Sequence, residues 1–127
     1  MAYTLLIVDD SATTRAIVKK VLALTGLEFS AIHESKDGAE GLGILRNCWV
    51  DLVLADLNMP VMNGQQMIAA MAADPLLRSV PVVVVSSEGS KTVLDSLAEQ
   101  GVHEVIRKPF EPALLRRVIE QALRAGV

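Results

Sequence analysis

The chain has 127 residues, 51% of them apolar and 21% charged, with a formal net charge of −3 and a single cysteine. That length and apolar content suffice for one domain over residues 1–127 with a buried core, while the lone Cys48 excludes an internal disulfide and the scattered basic residues argue against a nucleic-acid surface. Apolar runs such as "LLIV" and "PVVVV" are strand-sized and far short of the roughly 20 residues of a membrane helix, and the N-terminus lacks the pattern of a secretory signal, so a cytoplasmic protein with a protein or small-ligand partner is expected.

Apolar runs of strand length alternate with stretches in which apolar residues recur every three or four positions. In chain order the pattern predicts a strand over Thr4 to Val8, a helix over Ser11 to Leu24, a strand over Phe29 to His33 and a helix over Asp37 to Asn47. A strand over Asp51 to Ala55, a helix over Gly64 to Ala73, a strand over Pro81 to Val85 and a helix over Ser90 to Gln100 follow. The last unit is a strand over Glu104 to Arg107 and a helix over Glu111 to Ala125. The first helix carries Ile17, Val18, Val21 and Leu22 on one face, starts at a capping Ser11 and stops at Gly26. The strands are apolar throughout rather than alternating, which calls for helices on both faces of an all-parallel sheet. The expected class is therefore α/β, doubly wound from five βα units.

Parallel strands joined by right-handed crossovers all end on one edge, where open α/β folds place their ligands. Asp9 and Asp10 follow the first strand, Asp56 the third, Ser86 and Ser87 the fourth, and Lys108 with Pro109 the fifth. The second strand, ending near His33 and Glu34, contributes nothing evident. Any one of these is an ordinary loop residue or helix cap. Their conjunction points to a site. Three gathered carboxylates repel one another unless a cation joins them. A hard divalent ion such as Mg²⁺, which takes one or two carboxylates and prefers phosphate oxygens as further ligands, suits an open site with no Cys or His cluster. Metal and lysine together favour an incoming phosphoryl group, for which Asp56 is the candidate nucleophile.

The segments "VDD" at 8–10, "DLNMPVMNG" at 56–64, "VVVVSSEG" at 82–89 and "RKPF" at 107–110 together resemble the receiver domains of two-component response regulators, most closely the single-domain, CheY-like kind, over the full chain. The resemblance implies a flavodoxin-like fold with strand order 2-1-3-4-5, which sets Asp9, Asp10 and Asp56 side by side. It further implies Asp56 as phosphoacceptor, Asp9 and Asp10 on Mg²⁺ directly or through water, and the Asn58 backbone carbonyl as a metal ligand. Ser86 would turn its hydroxyl to the phosphoryl oxygens, Lys108 would bind them, and the Lys108–Pro109 bond would be cis. The implied donor is a phosphohistidine on a sensor histidine kinase or phosphotransfer protein, and the implied output a downstream target protein docking on helix 4, strand 5 and helix 5. Thr13 and Arg15 would be kinase contacts, and Asn58 with Glu88 would tune hydrolysis of the acyl phosphate.

Two positions depart from the family pattern. Val105 stands where chemotaxis-type receivers carry Tyr or Phe, so the aromatic half of the switch is missing, and Asn63 stands where Asp is frequent. Pro60 is expected to stiffen the turn after Asp56, and Gly64 to supply a backbone conformation that a side chain would obstruct. "GAEGLG" at 38–43 follows no strand end and fails the context of a dinucleotide loop. His33 and His103 read as strand-edge packing or surface residues, and Cys48 and Trp49 as packing residues before the third strand. A Mg²⁺-dependent phosphatase would want a second acid where Asn58 stands, and a flavin carrier a phosphate loop where "DDSATTR" puts acids.

Overall fold

The computed structural model describes residues 2–87 and 91–125. Its elements are β1 (Tyr3–Val8), α1 (Ala12–Ala23), β2 (Phe29–Ser35), α2 (Gly38–Asn47), β3 (Leu52–Ala55), α3 (Gly64–Ala73), β4 (Val82–Ser86), α4 (Lys91–Glu99), β5 (Glu104–Arg107) and α5 (Pro112–Ala125). All strands are parallel in the order β2-β1-β3-β4-β5.

Each expected element is present, with small shifts at the ends that have local causes. β2 runs on to Ser35 because its pairing with β1 continues to Val8, which lies opposite Ser35. β4 starts at Val82 because Pro81 has no N–H to give the ladder, and it includes Ser86, which lies opposite Arg107. Ser11 and Asp37 stand outside α1 and α2 as caps, accepting from Thr14 N and Glu40 N. Ser90, the expected start of the fourth helix, lies outside the described residues.

The strands separate two apolar layers, as their continuous apolar runs require. Leu6, Val8, Val53, Ala55, Val82 and Val84 pack with Leu42, Leu45, Met67, Met71 and Leu97 from α2, α3 and α4. Leu5, Ile7, Leu52, Leu54, Val83, Val85 and Ile106 pack with Val18, Leu22, Leu115, Val118 and Ile119 from α1 and α5. Truncating any one of the fully buried leucines, such as Leu22, to Ala removes roughly 2–5 kcal/mol. "GAEGLG" lies within α2. A Cβ on Gly41 would come within 3.2–3.3 Å of Ser35 Oγ, Met67 Sδ and Val8 Cγ2, so glycine there lets the helix lie close on the sheet. The order reverses direction at β1, which has β2 on one side and β3 on the other. The crevice between the C-terminal ends of β1 and β3 is the switch point of the fold.

Candidate functional site

The buried run Leu5–Val8 carries β1 to the edge, and Asp9 is the first residue beyond it. Asp9 is fastened from three directions: its N–H donates to Ser35 O at 3.1 Å, its Oδ1 accepts from Ser11 N at 2.9 Å, and Lys108 Nζ lies 3.2 Å from its Oδ2. Only 6% of its side chain is exposed, so these partners replace the water that the carboxylate gives up. Asp10 is exposed, and among the described residues its carboxylate takes no hydrogen bond. Asp56 N donates to Val8 O at 2.9 Å, extending the β1–β3 ladder one residue past the strand end. Leu57 N holds its Oδ1 at 2.7 Å, and Lys108 Nζ is 3.5 Å from its Oδ2.

Asp9, Asp10 and Asp56 each offer a carboxylate oxygen within 4.8 Å of the others. Lys108 neutralises one of the charges, and the remainder matches a divalent cation. The donor set is all oxygen, half open to solvent and set on rigid strand ends, which fits a hydrated Mg²⁺ better than a closed Zn²⁺ cage.

The turn behind Asp56 has the obstruction expected at Gly64, and its left-handed backbone is at Val61, with φ 67°. Met62 N donates to Pro60 O at 2.7 Å across Val61, the hydrogen bond of a γ-turn, and Met62 O accepts from Gly38 N at 2.9 Å. Gly64 is required for closeness: a Cβ there would collide with the Asp56 carbonyl and lie 2.9 Å from Leu57 Cα. Its N–H donates to Leu57 O at 2.9 Å, so the N-terminus of α3 is pressed against the backbone of Asp56. Asn63 closes α3 through a reciprocal capping box with Gln66, which accounts for an amide there. Asn58 is exposed in the turn.

Ser86 is fully buried at the end of β4, and its carbonyl accepts from Lys108 N at 3.1 Å. The Lys108–Pro109 peptide bond is cis. Val105 lies opposite Val84 and packs, half-buried, against the apolar layer under α4. Glu88 lies outside the described residues.

β2, silent in the sequence, reaches this edge through Glu34. Its carboxylate accepts from Lys19 Nζ at 3.0 Å and from Arg15 Nε at 3.1 Å, and these bonds, Lys19 first, hold its carboxyl below the usual carboxylate range against a smaller effect of burial. Arg15 Nη1 also donates to the Asp9 carbonyl at 2.6 Å, so Arg15 is engaged at the edge rather than on a solvated face. The available signal was the pair of cations four residues apart on one helix face. His33 and His103 lie elsewhere, opposite Leu6 and at the start of β5. Cys48 and Trp49 precede β3 at the far edge and, contrary to the expected packing role, are exposed, the Trp49 Nε1 donating to Asp51 Oδ1 at 2.9 Å. A surface cavity of about 470 Å³ lined by Leu24, Glu111, Pro112 and Arg116 does not touch the acidic residues.

The sequence pattern of the family described as "Response regulator receiver domain" matches residues 5–120. The chain is 35% identical over 123 residues to the chemotaxis protein CheY homolog of Campylobacter jejuni, covering 96% of this chain and 93% of that protein. Among solved structures it is similar to the chemotaxis protein CheY4 of Vibrio cholerae, with TM-score 0.84, 27% identity and coverage of 97% of this chain and 100% of that one. It is also similar to the signal receiver domain of a signal transduction histidine kinase from Syntrophus aciditrophicus, with TM-score 0.85, 27% identity and coverage of 98% and 92%.

Proposed function

The chain belongs to the response regulator receiver domain family, and from that premise we propose that it is a phosphorylation switch in which Asp56 accepts a phosphoryl group. The observation that carries this reading is the convergence of Asp9, Asp10 and Asp56 with Lys108 at the β1–β3 switch point. The donor is a phosphohistidine of a sensor histidine kinase or phosphotransfer protein. Its P–N bond breaks, the nitrogen keeps the electron pair, and a carboxylate oxygen of Asp56 forms the new O–P bond of an acyl phosphate. Asp9, Asp10, Asp56 and the Asn58 carbonyl would hold Mg²⁺, which when bound supplies positive charge to the transferring oxygens.

The chain's own residues do the positioning. Leu57 N fixes one oxygen of Asp56, leaving the carboxylate in one orientation. Lys108, paired with Asp9 and Asp56, exchanges part of that pairing for the phosphoryl oxygens as they arrive. Ser86 supplies its hydroxyl to the same oxygens, and the added charge biases the protein between two states. The α4, β5 and α5 face then meets a downstream protein. Val105 gives that readout an aliphatic residue in place of the aromatic ring. Asn58 and Glu88 tune the rate of self-catalysed hydrolysis, so the protein turns over its own modification without acting on other substrates. A cytoplasmic location, protein partners rather than nucleic acid, and a role in chemotaxis or motility accord with this reading. No helix among the described residues is long and apolar enough to cross a membrane.

Incubation with acetyl phosphate and Mg²⁺ followed by intact-mass measurement tests the proposal. One phosphoryl adduct is expected, dependent on Mg²⁺ and absent in Asp56→Asn. An adduct that persists in Asp56→Asn, or none in the parent protein, refutes it. Turnover of an unrelated phosphomonoester would instead support a phosphatase.

A further inference from the structure

We propose that Arg15 is a positioning residue for the acidic pair, setting the peptide between Asp9 and Asp10 so that Asp10 faces the cation. The inference rests on the metal-dependent reading of the acidic edge. The Asp9 carbonyl belongs to the peptide unit from which Asp10 departs, and Arg15 Nη1 donates to it at 2.6 Å. The same guanidinium is braced through Nε by Glu34 at 3.1 Å, and the other oxygen of Glu34 is held by Lys19 at 3.0 Å. The Arg15 side chain is only 17% exposed, so it is a packed strut rather than a waving surface charge.

The asymmetry between the two acids gives this strut its role. Asp9 is held by Ser35, Ser11 and Lys108 through contacts in which Arg15 takes no part. Asp10 has no hydrogen bond on its carboxylate among the described residues, so only its backbone and its own rotamer set where its side chain lies. A planar fork can serve Glu34 and the Asp9 carbonyl at once with fixed geometry. A lysine ammonium at the same position keeps the charge and loses that geometry. Charge and position therefore predict opposite outcomes: a purely electrostatic Arg15 opposes a nearby cation, so its removal would tighten metal binding, whereas a positioning Arg15 supports it.

The test measures Mg²⁺ affinity by calorimetry on the parent protein and on Arg15→Lys, Arg15→Met and Glu34→Gln, with urea midpoints recorded alongside. Outer partners of metal ligands are commonly worth 10–100-fold in affinity. Arg15→Lys and Arg15→Met are each expected to weaken Mg²⁺ about tenfold, and Glu34→Gln to shift it the same way by less. In acetyl phosphate incorporation the defect is expected in the Mg²⁺ concentration giving half-maximal rate, not in the rate reached at saturation. Parent-like affinity in Arg15→Lys, or tighter binding in Arg15→Met, overturns the proposal while leaving the metal site standing. A parent protein that binds no Mg²⁺ removes the reading of the acidic edge and this inference with it. Glu34→Gln loosens the strut from its other end, so a folding defect in Arg15→Met does not shield the proposal.

Discussion

Substituting Gly64 by Ala tests whether α3 and the backbone of Asp56 are as tightly apposed as their role requires. A Cβ there would overlap the Asp56 carbonyl and lie 2.9 Å from Leu57 Cα, whereas carbon atoms ordinarily rest about 3.5–4.0 Å apart. Every atom it meets is main chain, so no rotamer change relieves the overlap, and either the start of α3 or the Asp56–Leu57 peptide must move by about 0.6–1 Å. Overpacking of this kind costs about 1–3 kcal/mol. Displacing a reacting group by about 1 Å costs on the order of 100-fold in rate. The assay pairs urea unfolding with Mg²⁺-dependent incorporation from acetyl phosphate. Gly43→Ala is the control, because a Cβ on Gly43 meets nothing within 4 Å in the same kind of element. It is expected to stabilise by up to about 1 kcal/mol, raising the melting temperature by roughly 3–5 °C, with incorporation unchanged. A Gly64→Ala protein with parental stability and rate would refute the argument.

Three further outcomes are expected. Asp10→Asn removes one of three neighbouring like charges and should stabilise the metal-free protein by about 1 kcal/mol, while abolishing most of the upward shift in melting temperature that Mg²⁺ confers on the parent; destabilisation of the metal-free form would count against the repulsion. Glu34 has its carboxyl held down by Lys19 and Arg15, so its contribution is fully present above the ordinary carboxylate range and is lost as the pH falls through its lowered value. The urea midpoints of parent and Glu34→Gln should therefore differ at neutral pH and converge in acid, and a gap that persists at pH 2 would exclude this origin. Val61, 84% exposed with φ 67°, holds a β-branched side chain at the centre of a positive-φ γ-turn; Val61→Gly, which removes the Cβ, should raise stability by up to about 1 kcal/mol in thermal melts, and a loss of stability would show that the turn is unstrained.

The alternation of apolar runs with helical periodicity determined the βα units, because strand and helix periods are written in local spacing and need no knowledge of neighbours. The same locality exposed the acids, hydroxyl and lysine at strand ends, since a charged residue that ends an apolar run is visible wherever the strand goes. The strand order was legible only through the resemblance of "VDD", "DLNMPVMNG" and "RKPF" to a family. Tertiary structure alone decided which distant groups meet. Lys108 reaches Asp9 across 99 positions of sequence, and Glu34 enters the edge only because β2 pairs with β1 and sets its carboxylate against Arg15 and Lys19 on α1. It also decided the geometry of the turn after Asp56: the left-handed residue is Val61, and the obstruction at Gly64 is set by where α3 lands on the Asp56 backbone. Local periodicity specifies what each segment becomes, whereas side-chain partnerships depend on the packing of segments that periodicity leaves unordered.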